Sequence, residues 1–252
     1  MIHIYGLMIG IAIVVGLWLV EFQAKKHQVK LADFYQVFWV LLLGGVIGAR
    51  FYHVMIEFSL YQNQLWNIFK IWQGGMSIIG GIVGGTISAW VFLKLHPLGK
   101  KINLITILDL SVFGLPAAQA IGRWGNFFNQ ELYGQPTQLP WGIYIDPSHR
   151  LIGYEQFSYF HPLFFYEMIL MLLFAGGVWI NHNRRLVSGF NVGSGKLFIL
   201  YIFYYSFIRF CLDFIRIDKM HFFNTILGIN QILLLIVVCF SGFYLYKKNE
   251  KN

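Results

Sequence analysis

Residues 34–56 read FYQVFWVLLLGGVIGARFYHVMI, and this stretch decides what kind of molecule the chain is. It carries one charge, Arg50, in an otherwise apolar run. At 1.5 Å per residue a helix of that length reaches about 35 Å, enough to cross the hydrocarbon core of a bilayer. Six further stretches of the same kind lie at roughly 4–22, 75–95, 103–122, 161–180, 196–216 and 224–246, which makes seven. They take up well over half of the 252 residues and leave no room for a sizeable soluble domain. The composition agrees, with 57% hydrophobic and 12% charged residues, against roughly 25% charged in an ordinary soluble domain. A secreted, cytosolic or disordered chain is excluded. The expectation is an all-α integral membrane protein, a seven-transmembrane-helix bundle forming one polytopic domain over residues 1–252.

The net charge of +8 invites a nucleic-acid reading until the positions are examined. The segments after the first, third, fifth and seventh stretches hold Lys25, Lys26, Lys30, Lys94, Lys100, Lys101, Arg184, Arg185, Lys196, Lys247, Lys248 and Lys251, twelve of the nineteen basic residues. The opposite side has Lys70, Arg123, Arg150, Arg216 and Lys219. The positive-inside bias then places the N-terminus outside and the C-terminus in the cytoplasm. The basic balance is a topology signal, with no nucleic-acid partner implied. Met1 to Tyr5 lack a basic n-region, and lysines follow the first apolar run, so an uncleaved first span is expected. Cys211 and Cys239 both fall inside spans, which argues against a disulfide framework or a metal motif.

With this topology the ionisable residues sort by depth. Arg50, Arg123, Glu167, Arg209, Asp213 and Arg216 gather near the outer leaflet, while Glu21 and Asp109 lie in the inner half. Arg209, Asp213 and Arg216 are spaced i, i+4 and i+7 on one helical face. Intramembrane charges are costly and commonly mark a site. One reading of Arg209 and Asp213 is a pair that locks the sixth span; another is a receptor for a membrane-embedded anion, since guanidinium groups grip phosphate bidentately. An ion pathway needs polar groups through the full thickness, and the inner half offers mainly Asp109. In the third stretch, Gly80, Gly81, Gly84 and Gly85 form small-residue ridges for close packing, whereas Gly74 and Gly75 stand at its outer opening, where backbone N–H groups can approach an anion.

The most informative segment is GRWGNFFNQELYG, residues 122–134. Arg123, Asn126 and Asn129 recur every third residue, so a helical turn gathers them on one side beside Gly122 and Gly125. Such a ladder suits a phosphate and glycerol hydroxyls; a wet helix end anchored by Trp124 and Tyr133 is the plainer reading. The loop from about 123 to 160 is expected to form a small extracytoplasmic cap, after which His161-Pro162 opens the fifth span.

This segment resembles the signature of the prolipoprotein diacylglyceryl transferase family, G-R-x-G-N-F-x-N-x-E-x-x-G, at every fixed position. Tyr5-Gly6-Leu7-Met8, Gly48-Ala49-Arg50, Gln73-Gly74-Gly75-Met76-Ser77, Tyr166-Glu167, Arg209-Phe210 with Arg216, and Gln231 agree in order, so the resemblance covers nearly the whole chain. It implies transfer of the diacylglyceryl group of phosphatidylglycerol to the lipobox cysteine thiol of a preprolipoprotein in the bacterial inner membrane, with no metal or organic cofactor. By resemblance Tyr5, Arg123, Asn126, Glu131, Gly134 and Arg209 carry over as essential, and Arg50, Gly74, Gly75, Asn129, Asp213 and Arg216 complete the expected phosphatidylglycerol-binding set. Three positions depart from the pattern. Ile79 stands where the family has a histidine, Asp213 where it has glutamate, and Leu163-Phe164-Phe165 replace more polar residues before Tyr166-Glu167. A compensating base is therefore expected, His53 ahead of His161 because it lies i+3 from Arg50; an interfacial cap of the second span is the other reading of His53. Two functions stay open: an active transferase, or an altered paralogue that binds anionic phospholipid without this transfer or with another acceptor.

Overall fold

The computed structural model of the chain describes residues 4–187, 189–218 and 228–249. Lys219 and Lys251 of the charge count, and residues 224–227 of the last expected span, lie outside the described residues. The described part is built from α-helices: α1 Ile4–Lys26, α2 Leu31–Ile56, α3 Ile78–Leu95, α4 Leu104–Ser111, α5 Leu115–Phe128, α6 Leu163–Arg184, α7 Lys196–Leu212 and α8 Ile229–Asn249. One two-stranded antiparallel ladder, β1 Ile143–Tyr144 with β2 Tyr159–Phe160, pairs Ile143 with Phe160 and Tyr144 with Tyr159.

Each expected apolar stretch is mostly helical over its described residues, but they differ in reach, and the sixth ends at Leu212, so Asp213 and Arg216 lie beyond the helix and not on one helical face. Among the described residues four helices are long and apolar enough to cross a membrane, α1, α2, α6 and the stretch Asn230–Lys248 of α8. The expected fourth span is two helices, α4 and α5, bent by 52°; counted as one it makes a fifth. The break is written in Gly114 and Pro116: proline has no N–H for the helical ladder, and its ring crowds the preceding turn. The interruption is stitched from outside, where Trp179 Nε1 donates to the Phe113 carbonyl at 3.1 Å. α5 then stays helical through Arg123 and Asn126 to Phe128, so the segment expected as loop from about residue 123 leaves the helix only at Asn129. The outward faces are apolar, with Val14, Trp18, Ile47, Phe51, Leu173 and Phe240 all exposed. In a chain of this composition such faces are solvated by lipid tails.

The chain divides into two compact units, Ala24–Ile107 and, together, Met1–Gln23 with Leu108–Asn252. In the first, α2 and α3 pack backbone to backbone: a Cβ on Gly48 would lie 2.4 Å from the Gly80 carbonyl, and one on Gly84 would lie 2.6 Å from that of Gly44. This is the close approach that small-residue ridges permit. In the second, α1 meets α5 just as tightly, a Cβ on Gly114 falling 2.1 Å from the Gly16 carbonyl. Leu163, Met171, Ile208, Leu212 and Ala120 form a core shared by α5, α6 and α7. Asp109 fixes the start of α7 by accepting from the amides of Gly193, Gly195 and Phe198 at 2.9, 2.7 and 3.0 Å.

Candidate active site

The outer end of α5 and the turn after it carry the signature segment. Asn126 is buried and joins two of its neighbours: its Oδ1 accepts from Arg123 Nη1 at 3.2 Å, and its Nδ2 donates to Glu131 Oε1 at 2.8 Å. Glu131 is brought back by a reversal in which its amide donates to the Asn126 carbonyl at 3.0 Å. That reversal places Gln130 and Leu132 at φ of 52° and 57°, left-handed values that cost non-glycine residues energy and persist only where surrounding bonds hold them. Gln130 is held by Asp146, to which its amide donates and whose backbone N–H it accepts at 2.6 Å. Asn129, on the same ladder, is exposed and makes no side-chain hydrogen bond among the described residues.

The three glycines of the segment stand in different surroundings. Gly125 seats Tyr5: a Cβ there would stand 2.6 Å from Tyr5 Cδ2, so only glycine admits the ring. Gly134 lies against the chain leaving α7, bridged to Arg216, with the Ile215 carbonyl 2.9 Å from where its Cβ would be. Gly122 has nothing within 4 Å. Beyond Gly134 the chain forms the small cap, whose core is Tyr133, Ile145 and Phe160. The Tyr133 hydroxyl donates to the His149 carbonyl at 2.7 Å and accepts from Leu151 at 2.8 Å. Burial raises its pKa above the ordinary phenol value, which keeps it in the donor form.

At the centre is a residue outside the expected set. Glu167, one turn into α6, is fully buried, and its two oxygens take one arginine each. Oε1 accepts from Arg123 Nη2, and Oε2 from Arg209 Nη1 at 2.9 Å. The other arm of Arg209 reaches Asp213 Oδ1 at 3.2 Å, and Arg216 approaches the same oxygen at 3.8 Å before closing on Asp218. The result is a chain of alternating charge, Arg123–Glu167–Arg209–Asp213–Arg216–Asp218. Arg216 holds the Asp218 carboxyl below its ordinary value, chiefly through their hydrogen bond. Arg123 Nε and Gln119 Oε1, one helical turn apart on α5, are buried with no partner among the described residues. The sequence signal for Glu167 was its place in Tyr166-Glu167; nothing there showed that it joins both arginines.

The expected residues thus fall into two groups. Tyr5, Arg123, Asn126, Glu131, Gly134, Arg209, Asp213 and Arg216 come together in the unit that holds α5 to α7. Arg50, His53, Gly74 and Gly75 come together in the other. There Arg50 is engaged by backbone: Nε donates to the Ile68 carbonyl at 2.7 Å, Nη2 to Asn67 at 2.5 Å, and Nη1 to Gly74 and Gly75 at 2.7 and 2.9 Å. Gly74 and Gly75 have φ of 88° and 74°, and a Cβ on Gly75 would sit 2.7 Å from both Arg50 Nη1 and His53 Nε2. His53 is half-buried and meets Tyr61 edge-on, with ring centroids 6.0 Å apart. Ile79, in the first turn of α3, is exposed. His161 Nδ1 lies 3.0 Å from the Tyr166 hydroxyl, which also accepts from Trp141 Nε1 at 2.8 Å. No group of three or more potential metal ligands exists among the described residues.

Comparison with known proteins supplies the context for this geometry. The family described as prolipoprotein diacylglyceryl transferase matches residues 1–247. The chain is 39% identical over 224 residues to a phosphatidylglycerol–prolipoprotein diacylglyceryl transferase of Cutibacterium acnes, covering 87% of this chain and 72% of that one. It is 38% identical to the protein so named from Trichormus variabilis, with 86% and 75% covered. The Thermotoga maritima protein of that name is 30% identical over 249 residues, with 98% and 82% covered. The chain belongs to the prolipoprotein diacylglyceryl transferase family.

Proposed function

We propose, from that membership, that the protein transfers the diacylglyceryl group of phosphatidylglycerol to the lipobox cysteine thiol of preprolipoproteins. The thiol sulfur forms a thioether bond to the glyceryl carbon, the carbon–oxygen bond to phosphorus breaks, and glycerol phosphate leaves with the bonding electrons. The thiol proton passes to a base or to solvent. The observation that carries this reading is the pair of arginines joined through buried Glu167, with Arg123 holding a buried Nε–H that has no partner among the described residues. A buried donor without a partner costs about 1–3 kcal/mol, and a phosphate oxygen would relieve that cost. Preorganised guanidinium donors favour the charge that develops on the departing phosphate. Tyr5, Asn126, Asn129, Glu131 and Gly134 belong to this site in the proposal, with Asp213 and Arg216 orienting Arg209. Arg50, Gly74 and Gly75 are taken as a phosphatidylglycerol contact of their own unit, with His53 as its base, which requires Arg50 to exchange backbone carbonyls for the lipid. The names of the relatives favour this transfer over a binding-only paralogue.

The same reading extends to topology. We take the protein to be a single polytopic domain in the bacterial inner membrane, with seven spans, the N-terminus outside and the C-terminus in the cytoplasm, from the asymmetry of its lysines and arginines. The cap of residues 129–160 then faces outside with the signature segment.

The test is to incubate the purified protein with labelled phosphatidylglycerol and a lipobox peptide and to follow the thioether product. Arg123→Ala and Arg209→Ala should each lower the rate by about 100-fold or more, the effect of removing a charged donor from a developing anion. Arg123→Lys should also be poor, because a point charge cannot reproduce the guanidinium fork. Arg184→Ala, at the other end of α6, should leave the rate intact. A folded Arg123→Ala protein with most of its activity would sink the phosphate assignment.

A further inference from the structure

Within the unit Ala24–Ile107, a cavity of about 600 Å³ opens between the turn joining α1 to α2 and the segment joining α3 to α4. Its wall carries Lys30, Lys100 and Lys101, the polar side chains of Asn103 and Thr106, and one carboxylate, Asp33. Three ammonium groups against one carboxylate leave the wall at +2. None of the three lysines is ion-paired among the described residues. His27 also lines the cavity; burial first, and Lys26 next, hold its imidazole below the usual value, so it adds no charge at neutral pH.

The place of this cavity is as informative as its charge. Lys30 and Arg50 are separated by most of α2, about 30 Å at 1.5 Å per residue, so the cavity lies at the other end of that helix from Arg50 and its loop. Two helices begin at its wall, α2 after Lys30 and α4 after Asn103, and helix starts favour anions. Asn103 caps α4, its Oδ1 accepting from the Thr106 amide at 2.9 Å, so its Nδ2 donors remain beside the ammonium groups for a ligand. The level of a membrane surface is marked nearby on α3, where Lys94 Nζ stands 5.0 Å over the Trp90 ring, a typical interfacial pairing. The same segment exposes apolar Leu95 and Ile105. A volume near 600 Å³ suits a whole headgroup, since pockets of about 300–1,000 Å³ hold ligands of that size.

We propose that this cavity is a binding site for a phosphate-ester anion, with the headgroup of an anionic phospholipid as its ligand, in the cytoplasmic leaflet of the proposed topology. Basic pockets between membrane helices take such headgroups through lysine ammonium groups at the surface. The binding claim does not depend on the transfer reaction; only the assignment of the leaflet rests on the proposed topology.

The experiment uses full-length protein in phosphatidylcholine nanodiscs with and without phosphatidylglycerol. Native mass spectrometry counts the phosphatidylglycerol retained, and thermal unfolding reads the response to added inorganic phosphate. Lys30→Gln/Lys100→Gln/Lys101→Gln is compared with the charge-matched Lys25→Gln/Lys94→Gln/Lys247→Gln; all six are exposed lysines outside the hydrophobic core. The expected result is one fewer retained phosphatidylglycerol in the cavity variant, with the control variant matching wild type. If the lipid count is unchanged but stabilisation by phosphate is lost only in the cavity variant, the anion site stands and its source is soluble rather than lipid. Equal lipid counts and equal phosphate responses in the two variants would overturn the proposal.

Discussion

Replacing Glu167 with glutamine removes one charge from between two guanidinium groups and keeps the shape of the side chain. The carboxylate is fully buried and bonded to Arg123 and, at 2.9 Å, to Arg209. A glutamine oxygen can accept from one arginine, but the amide NH2 then faces the other donor to donor. Removing one partner of a buried ion pair costs about 3–5 kcal/mol. Arg123 and Arg209 keep 20% and 12% of their side chains exposed, and that residual hydration sets the expectation at the low end. About 3 kcal/mol corresponds to a fall of roughly 6–12 °C in the unfolding midpoint for a chain of this size. The assay is thermal unfolding in detergent of Glu167→Gln, Arg209→Gln and the double variant. The double variant should lose less than the two singles added, since removing Arg209 relieves part of the uncompensated charge. Transfer should fall about 100-fold or more in Glu167→Gln, because both arginines lose the group that aims them. A Glu167→Gln protein that melts with wild type and transfers at the wild-type rate would refute the assignment of Glu167 as the hub.

Two further outcomes follow from the same unit. Gly125→Ala brings a methyl 2.6 Å from Tyr5 Cδ2, so transfer should fall sharply even though alanine favours α5 by about 1 kcal/mol. Trimming Tyr5 in that background should relieve the clash measured by unfolding, while Tyr5→Phe alone separates ring packing from the hydroxyl. Asp218 has a carboxyl held below its ordinary 3.8 by Arg216. A depressed carboxylate contributes stability that is present above the ordinary value and is lost as pH falls through the folded one. Unfolding measured against pH should therefore decline less steeply in Asp218→Asn than in wild type on the acid side of 3.8, and identical slopes would remove the Arg216–Asp218 link from the stability of this turn.

The membrane character of the chain is legible in its apolar stretches, but the break between α4 and α5 at Gly114 and Pro116 is not, since the apolar stretch 103–122 runs on across them. The signature segment stands out by its ladder of Arg123, Asn126 and Asn129, but in the structure Asn126 joins Arg123 to Glu131 and the Asn129 side chain is left aside. What spacing does not carry is the choice of long-range partner. An inventory by depth treats Arg50 and Arg123 alike, as intramembrane cations near one leaflet. In the structure Arg50 gives its donors to four backbone carbonyls, whereas Arg123 shares a carboxylate with Arg209 from forty-four residues away. The small-residue ridges give close packing of α2 on α3, but the loop that Arg50 ties down folds as short 3-10 turns, Phe58–Leu60, Leu65–Phe69 and Ile71–Gln73, too short to show a helical repeat.

The charge balance of the site bears on how it can favour a reaction. Counted by depth, arginines outnumber carboxylates and suggest a bare cationic pocket. In the structure three guanidinium groups, Arg123, Arg209 and Arg216, meet three carboxylates, Glu167, Asp213 and Asp218, and the chain of pairs is neutral. A phosphodiester with its single charge therefore gains little by entering beyond what the unpartnered Nε–H of Arg123 offers. A phosphate that is leaving acquires a second charge, and the same donors, already aimed by Glu167 and Asp213, interact with it more strongly. Interactions that strengthen only as charge develops raise the rate, while those equally strong in the bound lipid do not. Neutral pairing at rest is thus what a site for a departing phosphate requires, and it is the reason that removing Glu167 should harm the rate even though it leaves the arginines more positive.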